Sequence, residues 1–153
     1  MNKKEFVGFC KKKFSKYGFE KKGKYFYRQG KNLICGLYLQ HSSFGKYYYI
    51  NFFYSIGNYI EILQLPTIYD SHIDGRILIM SKTQTFQGER FLTAQIEYEE
   101  YSEEELRSFI DGEFQKIILP PIIQGKKYIL DNLNSRYTIT LNREEVLNWL
   151  AED

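Results

Sequence analysis

The sequence predicts an α+β fold: an N-terminal helix, an antiparallel sheet of about four to six strands, and C-terminal helices packed on the sheet. Three observations predict it. Apolar residues between Phe6 and Tyr17 recur at helical spacing. From Tyr25 to Ile56 the pattern switches to alternation, with turn residues between the runs. From Ser102 onward the helical period returns. One domain over residues 1–153 is expected, because a chain of this length buries roughly 70% of its unfolded surface and needs no covalent staple.

Each element has a local reason. Phe6, Cys10 and Phe14 form one stripe with Phe9 and Tyr17 beside it, lysines cover the opposite side, and Gly18 stands where a left-handed cap ends a helix. Tyr25–Arg28 reads as a strand, Gln29–Asn32 as a turn, and Leu33–Gln40 as the return strand, with Leu33, Cys35, Leu37 and Leu39 facing the core. His41–Lys46 makes the next turn. Tyr47–Ile56 is the third strand, with Tyr48, Ile50, Phe52, Tyr54 and Ile56 on one face and Tyr47, Tyr49, Asn51, Phe53 and Ser55 on the other. The stretch from Gly57 to Gly88 is the least regular, and Arg76–Met80 and Arg90–Tyr98 are the later strand candidates. Ser102-Glu103-Glu104-Glu105 is a capping box, and the helix it opens is expected to stop at Pro120-Pro121. A short helix around Lys127–Leu133 and a strand Tyr137–Leu141 follow. Asn142, with Glu145 in the reciprocal position, is expected to cap a last helix with Val146, Leu147 and Leu150 turned inward.

Charge is segregated along the chain. Up to Lys31 the basic residues are opposed only by Glu5 and Glu20, whereas Glu97, Glu99, Glu100, Glu103, Glu104, Glu105, Asp111 and Glu113 have only Arg107 among them. The formal net charge of +2 is therefore a cancellation of two fields. Both blocks have a structural reading as well: the lysines as the solvated side of an amphipathic helix, the glutamates as partners of a positive helix end. Cys10 and Cys35 form no Cys-x-x-Cys pair and fall on inward faces, which marks them as buried free thiols. Lys11, Lys12 and Lys13 interrupt any signal-like apolar stretch, and no run is long enough to span a bilayer, so a cytoplasmic location and no membrane partner are expected.

No catalytic signature stands out. His41 and His72 are the only histidines, the Ser42-Ser43 pair lies in a turn, and neither glycine-rich phosphate-loop pattern occurs. Asp70, His72 and Asp74 would share one side of an extended segment and could ligate a metal, but a turn using aspartate as a backbone acceptor explains the run equally well. No catalytic residue, metal or cofactor is assigned. Nucleic-acid binding has a physical basis in Lys11, Lys12, Lys13, Lys21, Lys22 and Lys24 near the rings of Tyr25, Phe26, Tyr27 and Tyr38. Alternation buries about half of those rings, and AT-rich coding accounts for aromatic density without any stacking surface.

The order of the pieces carries a resemblance. A helix, then Gly18-Phe19, then Lys21-Lys22-Gly23-Lys24-Tyr25-Phe26-Tyr27-Arg28, then Leu39-Gln40-His41-Ser42, then Tyr49-Ile50-Asn51 resembles the bacterial family known as domain of unknown function 4304. Gly75-Arg76-Ile77 and the helix ending at Leu119-Pro120 match its later layout, although an aromatic pair expected after the arginine is missing. The resemblance implies a small cytosolic bacterial α+β protein and brings no activity with it. Gln40, Ser42, Asn51 and Arg76 fall on its recurring polar positions, where strand-end hydrogen bonds and an arginine ion pair also account for them.

The expected function is a non-catalytic protein-interaction module, immunity- or antitoxin-like, that binds another protein through Glu99, Glu100, Glu103 and Glu104. The alternative is a nucleic-acid-binding protein that uses the basic helix and hairpin.

Overall fold

The computed structural model describes residues 1–57 and 64–152. Helix α1 (Lys3–Lys16) is closed locally at both ends. Asn2 accepts from the Glu5 amide at 2.8 Å, and the Glu5 carboxylate accepts from the Asn2 amide at 3.1 Å, a reciprocal cap that was not expected. At the C-terminus Gly18 adopts φ +84°, its amide donates to the Ser15 carbonyl, and the Phe19 amide donates to the Phe14 carbonyl. This is the two-bond left-handed stop. The Phe14 and Phe19 rings both rest on Phe114.

Arg28 completes this end by donating to the Tyr17 carbonyl at 2.7 Å, which places its charge on the negative helix terminus. The "Gly-Phe … Phe-x-Arg" pieces of the sequence are thus two halves of one lock. Replacing Arg28 with Met is expected to cost about 1.5–3 kcal/mol, the range for a hydrogen bond to a charged group. A thermal melt should then fall by about 3–12 °C. An unchanged melting temperature would show that the Gly18 stop suffices without the arginine.

Strands β1 (Glu20–Lys22), β2 (Tyr25–Gln29), β3 (Leu33–His41), β4 (Tyr48–Ile56) and β5 (Ile73–Arg76) follow. Next come β6 (Ile79–Met80) and β7 (Leu92–Thr93), which pair only with each other, and late in the chain β8 (Thr138–Ile139). The main sheet has the order β1-β2-β3-β4-β5-β8, antiparallel throughout. Leu33, Cys35, Leu37, Ile50, Phe52 and Tyr54 face the helices and are buried, as the alternation predicts. Cys10 and Cys35 are buried free thiols whose pKa values are raised by desolvation.

Several later elements differ from expectation. The Arg90–Tyr98 candidate contains only β7 and a single bridge from Ile96 to Tyr48. Arg76–Met80 divides between the end of β5 and β6. The expected strand Tyr137–Leu141 shortens to β8 because only Thr138 and Ile139 find partners on β5. Asn142 adopts φ +53° and makes no side-chain cap to helix α5 (Arg143–Ala151), and Leu147 is exposed.

The largest difference is at Pro120-Pro121, which do not stop the chain's helical course. Helix α2 (Glu103–Glu113) passes through a π-helical turn at Phe114–Ile118 into α3 (Leu119–Gln124), and α4 (Lys127–Asp131) follows. A proline lacks an N–H, so a helix crossing one leaves a carbonyl a turn earlier without its donor. Here Tyr137 Oη donates to Ile117 O at 2.5 Å, and Tyr54 Oη donates to Ile118 O at 2.8 Å and to Ile117 O at 3.3 Å. The missing N–H of Pro121 is the one that would serve Ile117 O, so Tyr137, with Tyr54 at longer range, supplies from the sheet side what that proline cannot, and the wide turn accommodates the mismatch.

Helices α1 and α2 lie together in the same direction, with Met1 against Tyr98 and Lys13 against Asp111. Lys13 is only 6% exposed, and its Nζ donates to both Asp111 oxygens, at 2.8 and 2.9 Å. Tyr17 Oη adds a 2.5 Å bond to the same carboxylate. Burial alone would raise the Asp111 pKa, but the Lys13 and Tyr17 hydrogen bonds and the lysine charge outweigh it and hold the carboxyl below its ordinary value.

Candidate functional site

The helices occupy one face of the sheet, so the opposite face is where side chains can meet a partner. Register places Tyr25, Tyr38, Asn51 and Arg76 in one row across β2 to β5, and Tyr27, Gly36, Phe53, Asp74 and Thr138 in the next. Part of this face is already covered. Leu65 and Ile68 pack on Tyr25, Tyr27, Ile34 and Phe53, and Tyr27 Oη donates to Pro66 O at 2.7 Å. Beyond that cover, toward β5, a cleft of about 680 Å³ opens.

Three of the four predicted polar residues meet in this cleft. Asn51 Nδ2 donates to Gln40 Oε1 at 3.0 Å, Arg76 Nε donates to Asn51 Oδ1 at 2.9 Å, and Arg76 Nη2 reaches Gln40 Oε1 at 3.4 Å. The Arg76 guanidinium also lies over the Tyr49 ring at 3.9 Å, in the cation–π geometry that favours arginine. The fourth residue, Ser42, belongs elsewhere: its Oγ accepts the Phe44 amide at 3.0 Å inside the β3–β4 turn. Among the described residues the side-chain partners of Arg76 are two neutral amides and a ring, not the carboxylate of an ion pair.

Asp74 and Arg136 complete the cleft. The Asp74 pKa is raised by partial burial and pulled back by the Arg76 charge. Arg136 is held by Glu113 at 2.5 Å and donates to the Arg76 carbonyl at 3.3 Å. Tyr49 and Asp74 were legible as same-face neighbours of Asn51 and Arg76, two residues away along their strands. Arg136 carries no signal in the sequence, because only the β5–β8 pairing brings it here.

The Asp70, His72, Asp74 run disperses. Asp70 accepts the Thr67 amide at 2.5 Å, His72 Nδ1 accepts the Ile56 amide at 3.0 Å, and Asp74 faces the cleft. Among the described residues no group of three His, Cys, Asp or Glu side chains is arranged to hold a metal ion.

The lysines proposed for nucleic acid also divide. Lys11, Lys12, Lys21, Lys22 and Lys24 are exposed, but Lys13 is committed to Asp111. Lys24 lies 5.5 and 5.3 Å from the Tyr25 and Tyr38 ring centroids. Tyr25, Phe26 and Tyr27 are all buried, more than alternation suggested, so they offer no stacking platform. Lys21 and Lys22 stand on the edge strand β1, where charge discourages pairing with another chain.

Glu99, Glu100, Glu103 and Glu104 are exposed along the start of α2 and the short turn before it. Glu99 pairs with Lys46 at 3.2 Å and Glu103 with Arg107 at 3.4 Å, both at the surface. Glu105 instead closes the expected capping box with Ser102 and meets Lys82 at 2.6 Å, which together hold its carboxyl near a pKa of about 2. Lys4 and Lys12 of α1 border the same groove as Glu103. Some charges separated along the chain are therefore neighbours in space.

Helices on one sheet face and an arginine-centred polar cleft on the other define the chain as a small α+β protein. The chain belongs to the family described as Domain of unknown function (DUF4304), whose model matches residues 10–151. That match extends the resemblance over nearly the whole chain. No curated protein and no solved structure matches it significantly. Among the described residues, no helix is long and apolar enough to cross a membrane.

Proposed function

We propose that the protein is a non-catalytic module that binds another protein, in the manner of a small inhibitor, through Glu99, Glu100, Glu103 and Glu104. The observation that carries this reading is that these carboxylates are exposed on a rigid base. Tyr98, Tyr101 and Leu106 beneath them are buried, Tyr101 Oη donates to Met80 O at 2.7 Å, and the capping box fixes the first turn of α2. The fold makes no use of Glu100 or Glu104 in any ion pair among the described residues, and surface pairs such as those of Glu99 and Glu103 are worth at most about 1 kcal/mol. A prearranged anionic surface of this kind recognises a basic face and speeds encounter with it.

The test compares wild type with the fourfold Glu→Gln variant in a nuclease-treated pull-down from the native host. A stoichiometric protein retained by wild type is expected to bind the variant roughly 10-fold more weakly at low salt, a difference that shrinks as salt screens the charges. Equal retention by both would remove the glutamates from the interface. Nucleic acid recovered without nuclease and lost from a Lys11, Lys12, Lys21, Lys22 variant would favour the other reading.

A further inference from the structure

Besides Arg136, which is paired with Glu113, the cleft on the open sheet face contains two charged groups of opposite sign, Arg76 and Asp74, that form no ion pair with each other. Arg76 is held by Asn51, Gln40 and the Tyr49 ring, so its orientation is set in advance of any ligand while its charge meets no carboxylate at ion-pair distance among the described residues. Its Nη1 donors are not used by the amides. Asp74 lies two residues earlier on the same face of β5, half-buried, and its carboxylate accepts no hydrogen bond among the described residues. Same-face neighbours on a strand have Cα atoms about 6.5 Å apart. An α-amino acid carries its carboxylate and its ammonium on one carbon, so two side chains that start that far apart can each reach one of them. Tyr38, Ile68, Leu78 and Ala94 supply apolar wall beside the pair.

We propose that this cleft binds a free α-amino acid with an apolar side chain, its carboxylate on the Arg76 guanidinium and its ammonium on Asp74. A fixed guanidinium gives the planar two-point fit that a carboxylate takes best. Asp74 discriminates against phosphate and other multiply charged anions by repulsion, and Arg76 discriminates against simple cations. The cleft size falls in the range of small-molecule sites. This inference concerns a different surface from the glutamates, so either can fail alone.

The probes are leucine and phenylalanine, with N-acetyl-leucine and leucinamide as the forms that lack one charge. Titration of isotope-labelled wild-type protein, followed through the amide signals of Asn51, Gly75 and Arg76, should saturate for at least one amino acid with a Kd below about 1 mM. Both blocked forms should bind at least 10-fold more weakly, because each leaves one charged group of the cleft without a partner. Arg76→Lys should weaken leucine at least 10-fold. Asp74→Asn should weaken leucine while leaving N-acetyl-leucine unchanged or improved, a swap in preference that general destabilisation does not produce. No saturable shift from either amino acid at about 10 mM would overturn the proposal. So would N-acetyl-leucine and leucinamide that match leucine on wild-type protein, a result that needs no variant to fold.

Discussion

Replacing Gly36 with Ala is expected to destabilise the protein by roughly 3 kcal/mol, the upper part of the range for overpacking a tight interior. A Cβ at Gly36 would lie 2.1 Å from Cζ of Phe53, its direct cross-strand partner, with two more ring atoms inside 3 Å. Phe53 is fully buried under Tyr25, Tyr27 and Leu65, so the ring has nowhere to turn. The thermal midpoint should drop by about 6–12 °C, since domains of this size lose some 2–4 °C per kcal/mol. Gly36→Val should leave little folded protein. A Gly36→Ala, Phe53→Leu double variant should cost less than the two single changes added, because the smaller side chain vacates the space. Additive costs in denaturant melts would refute the ring-over-glycine account. Gly75 repeats the arrangement on the other face: a Cβ there meets Phe52 Cζ at 2.3 Å and the Arg136 carbonyl oxygen at 2.5 Å.

The second large effect is expected from the tyrosines that serve the proline-interrupted helix. Tyr54→Phe and Tyr137→Phe each remove one buried hydroxyl while keeping the ring. Leaving a buried carbonyl without its donor costs about 1–3 kcal/mol. Tyr54→Phe should be the milder of the two, because Tyr137 still serves Ile117 O and the Ile122 amide of the same helix serves Ile118 O, whereas Tyr137→Phe leaves Ile117 O only the 3.3 Å bond from Tyr54. The double variant removes that reserve, so it should cost more than the sum, with early loss of amide exchange protection from residues 114–124. If the double variant's cost merely equals the sum, the two hydroxyls do not share Ile117. If neither single change moves the melting temperature, the π-helical turn holds without them.

Legibility in the sequence followed the range of the cause. The alternation of Leu33–Gln40 and Tyr47–Ile56 identified which residues face the helices, because a strand's two faces are decided residue by residue. The Gly18 stop and the Ser102–Glu105 box were equally readable, since each closes within a few residues. The helical course continues past Pro120-Pro121 because the donor that Ile117 O lacks comes from Tyr137 and Tyr54, which belong to other parts of the chain. The strand at Tyr137–Leu141 was overextended for a related reason: hydrogen bonds to β5 end it, not its own composition. At the cleft, Gln40, Asn51 and Arg76 were readable as polar positions but not as one network. Their contacts span 11, 25 and 36 residues of sequence. Ser42 shared the same pattern and does a local job instead.

By itself the sequence determined the fold class, the Gly18 stop and the Ser102–Glu105 cap, the buried faces of the central strands and the family. Those features depend on spacing of 2 to 4 residues, where backbone geometry leaves few choices. Only the tertiary structure decided that the basic and acidic blocks lie side by side, that Lys13 is spent on Asp111, and that Arg76 is held by neutral groups in an open cleft. Those outcomes depend on which distant residues the sheet register and helix packing bring together. A charge or an amide carries no mark of its eventual partner until the core has fixed both positions.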